Sequence, residues 1–536
     1  MLKNTNIEQM KYFYLLLLLS ISSSLWAQKD KSTFKKLDRS LKLIETQYVD
    51  TIDAAAITTA AVKAMIKQLD PHSKYLSKSS LQKSNEMINS SFAGIGIRFQ
   101  ILNDTLIILN AVKEGPCDKA GLQAGDKLIT INGESVVGKA ISNQFFSKRL
   151  RGKIGSPVKL TIMRHSDHSI HSYTIKRGQI PINTIVSNYL INRNTAYIKI
   201  SSFSRSTNLE FQIAAMQLQM SGIKNIIIDL RGNPGGLMIS SIRLADSFLD
   251  DGKLIVFTQG AHSQRTEYKA TAGGQMDKAR LIILIDENSA SASEIFAGAM
   301  QDWDRGLVVG RRSFGKGLVG RNYRLPDGSA IRLTTGHYYT PSGRCIQKSY
   351  SKGTQLYNQD LALRYKHGEL YTADSIHFPD SMKYYTHDKR LVYGGGGIMP
   401  DIFIPLDTSY QSPYLNKLSR YGVINYFTGL YFDKHLEHLK KQYPNYSSFR
   451  NHFHPDKKDL KAIEDLALVK YKIKPNGKYI NKSKLYILNN FKALLARDLY
   501  SNGTYYEQSN NLDKMVQTAG KLFKTNTVFK AHGIHN

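Results

Sequence analysis

From Ala196 onward, short apolar segments alternate with segments of helical periodicity, and this alternation constrains the fold more than any other feature of the chain. Apolar segments of strand length cover residues 196–200, 226–230, 281–285 and 307–309, and helical patterns cover residues 209–220 and 292–301. Strands that alternate with helices form mostly parallel sheets, whose faces are covered by helices. The sequence therefore predicts an α/β core.

The first residues include a charge-free run, 12–27, which follows a weakly basic segment. The run is shorter than the roughly 20 apolar residues that a transmembrane helix needs. It ends in small and polar residues before Gln28, a pattern typical of signal-peptidase cleavage after Ala27. We therefore expect residues 1–27 to be a signal peptide and the mature protein to be exported to the cell envelope, in the periplasm. Because Leu25 is a poor residue three positions before the cleavage site, an uncleaved anchor stays open as an alternative.

Changes in composition and periodicity divide the rest of the chain into regions. Leu37, Leu41, Ile44 and Tyr48 are spaced by three and four residues, as on the apolar face of a helix. The predicted regions are a helical N-terminal region (28–89), a segment of short strands (90–178), the α/β core (179–406, with a Tyr-, Lys- and His-rich insertion at 346–393) and a basic, helical C-terminal extension (407–536).

The chain is strongly basic, with 73 Lys and Arg against 43 Asp and Glu and a formal net charge of +30. The charge is spread along the chain without the motifs of a nucleic-acid-binding module, so we expect no nucleic-acid partner. A basic surface that faces anionic lipid or an envelope polymer stays open. The two cysteines, Cys117 and Cys345, rule out a disulfide framework, and the sequence contains no clustered Cys/His zinc motif.

A glycine-containing loop precedes the first predicted strand of the segment 90–178. Successive backbone N–H groups in such a loop can bind a carboxylate, and the following strand offers an edge to which a peptide can add. A plain glycine-rich turn is the competing interpretation. The candidate binding residues are Phe92, Gly94, Ile95, Gly96 and Ile97.

Glycines and turns further along this segment favour the binding loop. They occur as Gly115-Pro116, Ala120-Gly121-Leu122, Gly125-Asp126 and Ile131-Asn132-Gly133. In order and spacing they resemble a PDZ domain of the bacterial protease type over residues 90–177. The resemblance implies a pocket that captures the C-terminal carboxylate of an extended polypeptide, with Cys117 as a packed or surface residue.

Ser289, Ser291 and Ser293 lie between the strand that ends at Ile285 and the predicted helix from Ala292. A nucleophile at a strand-to-helix turn is exposed, and the N-terminus of a helix favours developing negative charge. Ser291 with Glu294 three residues later is also the pattern of a capping box, so a purely structural role stays open.

Two further segments carry candidate catalytic groups. Residues 229–236 follow a buried strand, and Gly235 and Gly236 let backbone N–H groups approach a substrate oxygen; with the N–H of Ala292 they can form an oxyanion hole. Lys316 lies far enough beyond Ser291 for the chain to cover a helix and return along a strand beside it. A lysine acts as a general base only when it is neutral, which requires burial. A solvent-facing loop lysine is the competing interpretation.

Together these segments resemble the C-terminal processing peptidases, also called tail-specific proteases, over residues 35–406. The most specific motifs are Ser-Ala-Ser-Ala-Ser-Glu-Ile at 289–295 and Phe-Gly-Lys-Gly at 314–317. Leu-Asp-Pro-His-Ser at 69–73 and Pro-Ser-Gly-Arg at 341–344 support them. The resemblance implies a ClpP/crotonase-like α/β core of mostly parallel strands with an inserted PDZ domain.

The resemblance also implies roles for individual residues. Ser291 would be the nucleophile, Lys316 the base, and the backbone N–H groups of Gly235 or Gly236 and of Ala292 the oxyanion hole. The implied partners are polypeptide substrates bound by their C-termini, with no metal or organic cofactor; an adaptor protein and a homodimer stay open. Asp302 stands where the family often has an acidic residue, and a structural salt bridge is its equal alternative.

One position departs from the family pattern. The family usually continues Lys-Gly-Thr-Val-Gln, and the glutamine helps to orient the lysine, whereas this chain reads Lys316-Gly317-Leu318-Val319-Gly320. Asn322 or a water molecule is the candidate substitute. The sequence therefore predicts a serine endopeptidase that works through a Ser–Lys acyl-enzyme. The alternative is a weakly active or inactive relative that serves as a PDZ peptide-binding scaffold.

Overall fold

The computed structural model describes residues 34–138, 142–219, 222–272, 274 and 276–534. The predicted signal peptide, residues 1–27, lies outside them. The N-terminal region is helical as predicted, with one short strand between its helices. Its elements are α1 (34–47), α2 (Ala54–Lys67), β1 (Lys74–Leu76) and α3 (Lys78–Ile88).

A small β-domain follows the N-terminal helices. Its inward side chains alternate along the strands, as Val158, Leu160 and Ile162 do, and they pack against Phe146 of the domain's longer helix. Its elements are β2 (Ser91–Gly94), β3 (Ile97–Leu102), β4 (Thr105–Ala111), α4 (Pro116–Lys119), β5 (Lys127–Ile131), β6 (Glu134–Ser135), α5 (Asn143–Leu150), β7 (Pro157–Met163), β8 (Ile170–Lys176) and β9 (Gly178–Pro181).

The strands of this domain pair antiparallel in the order β3-β4-β5-β7-β8, with β6 against β5. The first and last strands, β2 and β9, pair with each other where the chain enters and leaves the domain. Cys117 is buried in the core of the domain, and burial raises the pKa of its thiol to about 12. Cys117 is therefore a packing residue.

The central part of the chain alternates strands and helices. Its elements are β10 (Ile185–Asn192), β11 (Thr195–Ile200), α6 (Thr207–Gln219), β12 (Asn225–Asp229), α7 (Met238–Asp246), β13 (Leu254–Gly260), β14 (Ser263–Lys269), β15 (Arg280–Ile285), α8 (Ala292–Asp302), β16 (Gly306–Gly310), β17 (Leu318–Arg324), β18 (Ala330–Tyr339), α9 (Thr354–Lys366), β19 (Lys383–Tyr385), β20 (Leu391–Tyr393) and β21 (Ile402–Phe403).

The main sheet has the strand order β10-β11-β12-β15-β16-β21. All its neighbouring strands run parallel except β10, which pairs antiparallel with β11 at one edge. Every residue of β12 is buried, as expected for a parallel strand covered on both faces. The prediction of a mostly parallel α/β core is confirmed.

A second, antiparallel sheet lies beside the first, with the order β1-β18-β13-β14 and with β17 paired to β18. The sequence analysis did not predict this sheet. Its strand β14 is exposed along most of its length and lacks the apolar alternation by which a strand is recognised. The sheet is important for the site because β17 starts two residues after Lys316.

The insertion at residues 346–393 is anchored to the core. Arg364 of α9 is buried, and its guanidinium donates to the carbonyl oxygen of Ser313 at 3.0 Å. The glycine segment that follows, residues 394–397, is a tight turn in which the Gly397 N–H donates to the Ile346 carbonyl at 2.9 Å. After this turn the chain forms β21, which pairs parallel with β16.

The C-terminal extension is helical as predicted. Its elements are α10 (Pro413–Arg420), α11 (Val423–Gln442), α12 (Tyr446–His452), α13 (Lys457–Tyr471), α14 (Gly477–Leu499), α15 (Asn502–Ser509), α16 (Lys514–Leu522) and α17 (Thr527–Ala531). Among the residues that the structure describes, no helix combines the length and the apolar character needed to cross a bilayer.

The extension covers surfaces of both other domains. One face of the main sheet packs against α6, α7 and α8, and the opposite face packs against Met515, Phe523 and Phe529 of the extension. On the β-domain, Lys127 forms an ion pair with Asp433 of α11 at 3.0 Å. The extension therefore covers one face of the main sheet and also contacts the β-domain.

Candidate active site

The three clustered serines have different surroundings. The Ser289 hydroxyl is buried and donates to the Leu230 carbonyl at 2.8 Å, and the buried Ser293 hydroxyl donates to the Asn233 carbonyl at 3.0 Å. Ser291 is only half-buried, and it lines a cleft of about 520 Å³. The structure therefore leaves the middle serine facing the cleft.

The backbone at Ser291 is strained, with φ 57° and ψ −113° immediately before α8. Positive φ is uncommon for a residue with a side chain, and such conformations persist only where the surroundings enforce them. The strained turn lies between the buried strand β15 and the buried helix α8. It directs the Ser291 side chain away from the core and towards the cleft.

Glycines 235 and 236 lie against this turn. A Cβ atom on Gly235 would lie 2.8 Å from the Ser291 Cβ, and one on Gly236 would lie 1.9 Å from the Phe203 carbonyl oxygen. Both residues have positive φ, 95° and 144°. Glycine is therefore required at both positions by close approach and by backbone conformation.

The two glycines differ in what their N–H groups bind. The Gly235 N–H donates to Asn233 Oδ1 at 2.8 Å, so it is not free for a substrate oxygen in this conformation. Within the described residues, the N–H groups of Gly236 and Ala292 donate to no protein acceptor. Of the predicted donors, Gly236 and Ala292 therefore have free N–H groups beside Ser291, and Gly235 supplies the close approach.

Lys316 lies in the loop before β17, is half-buried, and lines the same cleft as Ser291. Burial lowers the pKa of Lys316, the charges of Arg332 and Lys74 lower it further, and Glu294 and Asp70 act in the opposite direction. In the described part of the chain, no hydrogen bond joins the Ser291 hydroxyl to the Lys316 amine. Catalytic hydrogen bonds often form only once a substrate is bound.

Glu294 connects the two candidate catalytic segments. Its fully buried carboxylate accepts hydrogen bonds from the Ser291 N–H (2.7 Å) and the Lys316 N–H (2.9 Å) through one oxygen. The other oxygen accepts from the Gly315 N–H (2.7 Å) and the Ser313 hydroxyl (2.5 Å). Burial raises the pKa of Glu294, and these hydrogen bonds oppose that increase. The sequence indicated only a capping role for Glu294, because its contacts with the lysine loop join residues about twenty positions apart.

Tyr338 of β18 makes a second connection that the sequence did not indicate. Its hydroxyl donates to the carbonyl oxygens of Ser291, at 3.0 Å, and of Lys316. The side chain of Gln347 supports the same loop, because its Oε1 accepts from the Gly317 N–H at 2.9 Å. The backbone around Lys316 is therefore held from three sides, by α8, by β18 and by the start of the insertion.

The Asp-Pro-His-Ser motif supports the antiparallel sheet behind Lys316. Asp70 accepts from the N–H of Ser73 at 3.0 Å and from the hydroxyl of Thr334 on β18 at 3.0 Å. His72 Nε2 lies 2.6 Å from the Tyr357 hydroxyl of α9. Burial, followed by the charge of Lys316, lowers the pKa of His72 to about 4, so His72 is neutral at physiological pH.

Asp302 is the last residue of α8, and it forms the structural salt bridge that the sequence left open as an alternative to a functional role. Its carboxylate and the guanidinium of Arg344 are both fully buried and form an ion pair at 2.7 Å. Its other oxygen accepts from the Ser342 N–H at 3.0 Å. The Pro-Ser-Gly-Arg motif, which contains both of these partners, therefore closes the turn after β18.

The predicted carboxylate-binding segment is part strand and part loop. Phe92 and Gly94 belong to β2, where they pair with Ile180 and Gly178 of β9, so the loop proper is shorter than predicted. The Phe92 ring also packs against the Arg151 guanidinium, whose centre lies 4.2 Å away. Phe92 and Gly94 therefore shape the base of the loop.

Ile95 and Gly96 form the loop itself, with Gly96 at φ 76°. Within the described residues, the N–H groups of Ile95 and Gly96 have no acceptor. Ile97 begins β3, and in the described residues β3 has a neighbouring strand on one side only. The loop and the open strand edge can therefore take a carboxylate and an extended peptide together.

Within the described residues, no three His, Cys, Asp or Glu side chains lie together in a group that could hold a metal ion. The groups that the structure brings together around Ser291 are a hydroxyl, an amine and backbone N–H groups. This combination is found in serine-type peptidases.

Comparison with known proteins gives the family. Residues 194–355 match peptidase family S41, residues 93–176 match the PDZ domain, and residues 19–80 match the activating protease CtpB N-terminal domain. Residues 414–501 match a family of unknown function, DUF8443.

The chain is 33% identical over 321 residues to a probable CtpA-like serine protease of Staphylococcus aureus (strain COL), an alignment that covers 59% of this chain and 63% of that protein. It is 32% identical over 358 residues to a protein of the same description from Staphylococcus haemolyticus (strain JCSC1435), covering 66% of this chain and 70% of the relative. The solved structure of a photosystem II D1 C-terminal processing protease is 25% identical, with a TM-score of 0.36, and covers 68% of this chain and 86% of that one.

This chain belongs to peptidase family S41, the carboxy-terminal processing serine proteases that carry a PDZ domain. The family resemblance drawn from the motifs is thereby confirmed, as is the fold class with its inserted PDZ domain and helical terminal regions.

Proposed function

We propose that this chain is an exported serine endopeptidase that binds polypeptide C-termini through its PDZ domain and hydrolyses peptide bonds with Ser291 and Lys316. The observation that carries the proposal is the composition of one cleft. A strained, cleft-facing serine, a half-buried lysine and the free N–H group of Gly236 line it together, and the free N–H group of Ala292 directly follows the serine. The competing function is that of an inactive peptide-binding scaffold.

In the proposed reaction, the Ser291 hydroxyl oxygen attacks the carbonyl carbon of the scissile bond while the Lys316 amine takes the hydroxyl proton. The carbonyl oxygen becomes negative and accepts hydrogen bonds from the N–H groups of Gly236 and Ala292, at the N-terminus of α8. The C–N bond then breaks, and the Lys316 ammonium gives its proton to the leaving amine. Water attacks the ester with Lys316 again as base, which releases the carboxylic acid and restores Ser291.

The lowered pKa of Lys316 supports its role as base, because only a neutral amine can accept the serine proton. Glu294 supports the geometry, because its carboxylate binds the backbone of both catalytic residues. The PDZ loop supports engagement of C-termini, because the free N–H groups of Ile95 and Gly96 suit a carboxylate. These features lie in different domains, so binding and cleavage can be separated by mutation.

The test of this function is degradation of an unstructured polypeptide with a free, apolar C-terminus. Ser291→Ala is expected to abolish cleavage and to leave binding of a C-terminal peptide unchanged. Ser293→Ala is the matched control, because it removes a hydroxyl two residues away that bonds only to the Asn233 carbonyl. Peptide binding by the wild type without any Ser291-dependent cleavage would establish the scaffold function instead.

The proposed location in the cell envelope is supported by the charge-free run at residues 12–27, which is typical of a signal peptide. Mass spectrometry of the N-terminus of the protein purified from the envelope fraction tests it. A mature N-terminus at Gln28 is the expected result, and a full-length chain recovered from the cytoplasm would refute export.

A further inference from the structure

The side chain of Arg332 lies over Gly320, the residue at which the family usually has a glutamine. Gly320 and Arg332 lie on the paired strands β17 and β18, and both line the cleft with Lys316. A Cβ atom on Gly320 would lie 3.4 Å from the Arg332 Cγ and 3.5 Å from its Cδ. The arginine side chain therefore crosses directly over the glycine, and a long side chain at position 320 would compete for its path.

The guanidinium of Arg332 is fixed by neutral groups. Its Nε donates to Asn322 Oδ1 at 2.8 Å, and its Nη2 donates to the Ser84 hydroxyl of α3 at 3.0 Å. Among the described residues, no carboxylate forms an ion pair with Arg332. Asn322, the substitute that the sequence suggested for the glutamine, therefore binds the arginine through its carbonyl oxygen, and the charge of Arg332 is left to act on the cleft.

Charged and titratable groups surround Lys316 on several elements. They are Asp70 and His72 before β1, Lys74 on β1, Glu294 on α8 and Arg332 on β18. The two carboxylates are occupied by hydrogen bonds from other groups, Asp70 with Ser73 and Thr334 and Glu294 with the backbone of α8 and the lysine loop. After burial, Arg332 has the largest effect among the causes that lower the pKa of Lys316.

We infer that Arg332 is a positioning residue that prepares Lys316 to act as base, by its charge, in a chain that lacks the orienting glutamine. This inference rests on the proposed function. A nearby unpaired cation disfavours a second positive charge, so the neutral amine is favoured without a hydrogen-bonding partner at position 320. Gly320 makes this arrangement possible, because a glycine has no side chain that would block the Arg332 side chain.

The test measures the protonation of Lys316 without any need for proteolysis. In the Ser291→Ala protein, trace acetylation by acetic anhydride is followed against pH for each lysine by peptide mass spectrometry. Arg332→Gln is expected to move the midpoint for Lys316 upward by about one pH unit. Arg332→Lys, which keeps the charge, is expected to leave it nearly unchanged. Lys348, which is paired to Asp360 at 2.8 Å, serves as the internal standard and should not move.

Two controls separate charge from structure. Ser84→Ala removes one contact of the guanidinium but keeps its charge, so the Lys316 midpoint should stay within a few tenths of a unit of the parent value. A thermal melt establishes that each variant is folded. An unchanged midpoint in folded Arg332→Gln, or an equal upward shift in Ser84→Ala, would overturn the inference.

A second measurement uses the protein with Ser291 intact. In Arg332→Gln, the acid limb of the pH profile of kcat/KM should move upward by the same amount as the labelling midpoint, with Arg332→Lys restoring it. A labelling shift in a protein that never cleaves would refute the proposed function and support the effect of Arg332 on Lys316. Cleavage by a protein whose Lys316 labelling midpoint does not change in Arg332→Gln would support the proposed function and refute the effect of Arg332 on Lys316.

Discussion

Replacing Glu294 by glutamine should damage both the stability and the turnover of the protein. The carboxylate accepts from the Ser291 and Lys316 N–H groups on one oxygen and from the Gly315 N–H and the Ser313 hydroxyl on the other. In either orientation, the amide NH2 of a glutamine faces two of these donors. Hydrogen bonds to a charged acceptor are worth about 1.5–3 kcal/mol each, and the lower cost of burying a neutral amide offsets part of the loss. We expect a net loss of about 2–4 kcal/mol in the free energy of unfolding.

Turnover should fall by more than the loss of folded protein alone would explain. The lost hydrogen bonds hold the backbone of Ser291 relative to that of Lys316, and misplacement of a catalytic group by about 1 Å can cost 100-fold in rate. We therefore expect Glu294→Gln to reduce kcat by about 100-fold at a temperature where the protein is still folded. The stability change is measured by urea unfolding, monitored by the fluorescence of Trp303, which directly follows α8. The kcat is measured by cleavage of a substrate at saturating concentration.

Glu210→Gln is the matched control for this experiment. The Glu210 carboxylate also accepts from two backbone N–H groups, of Thr184 and Ile185, both at 2.8 Å, and from the Ser206 hydroxyl. It lies away from the cleft, so this variant should lose comparable stability with no change in kcat. A Glu294→Gln protein with normal kcat, or a Glu210→Gln protein with an equal loss of kcat, would refute the positioning role of Glu294.

Three further outcomes are expected. Lys316→Met should abolish turnover and should make the free energy of unfolding rise less steeply with pH. The pKa of Lys316 is lowered in the folded protein, so below pH 10.5 the unfolded chain binds this proton more tightly than the folded protein does. Urea unfolding of both proteins at several pH values checks this, and parallel curves of unfolding free energy against pH would contradict it. Amidation of a substrate's C-terminus should reduce its cleavage about 10- to 150-fold at subsaturating concentration, because a charge-assisted interaction of about 1.5–3 kcal/mol with the loop N–H groups is lost; equal cleavage of acid and amide would remove the PDZ loop from the mechanism. Gly320→Gln should restore turnover by up to about tenfold in an Arg332→Ala background, which lacks the Cγ and Cδ atoms that lie over position 320. Gly320 does not have a positive φ and a Cβ there makes ordinary contacts, so a normal thermal melt with unrestored turnover would mean that the glutamine cannot orient Lys316 in this chain.

Much of the architecture could be predicted from the sequence because it depends on local patterns. Buried parallel strands such as 226–228 and 281–285 are continuous apolar runs, and the helices between them carry their own periodicity. The turn before α8, with its small residues, marked Ser291 as the exposed nucleophile candidate. The antiparallel sheet was missed because strands such as β14 are stabilised by pairing with neighbours and have no apolar alternation of their own.

The tertiary structure decided the features that depend on distant parts of the chain. Glu294 reaches the lysine loop only because the fold places the start of α8 against the loop before β17. The main sheet is covered on its second face by α16 and α17 from the far end of the chain. The Gly235 N–H is not free, because it donates to the side chain of Asn233, whereas the Gly236 N–H has no such partner. Arg332 crosses Gly320 because β17 and β18 pair in one register. Local periodicity indicates which residues are buried. It does not indicate which distant residues are in contact, because those contacts form only when the whole chain has folded.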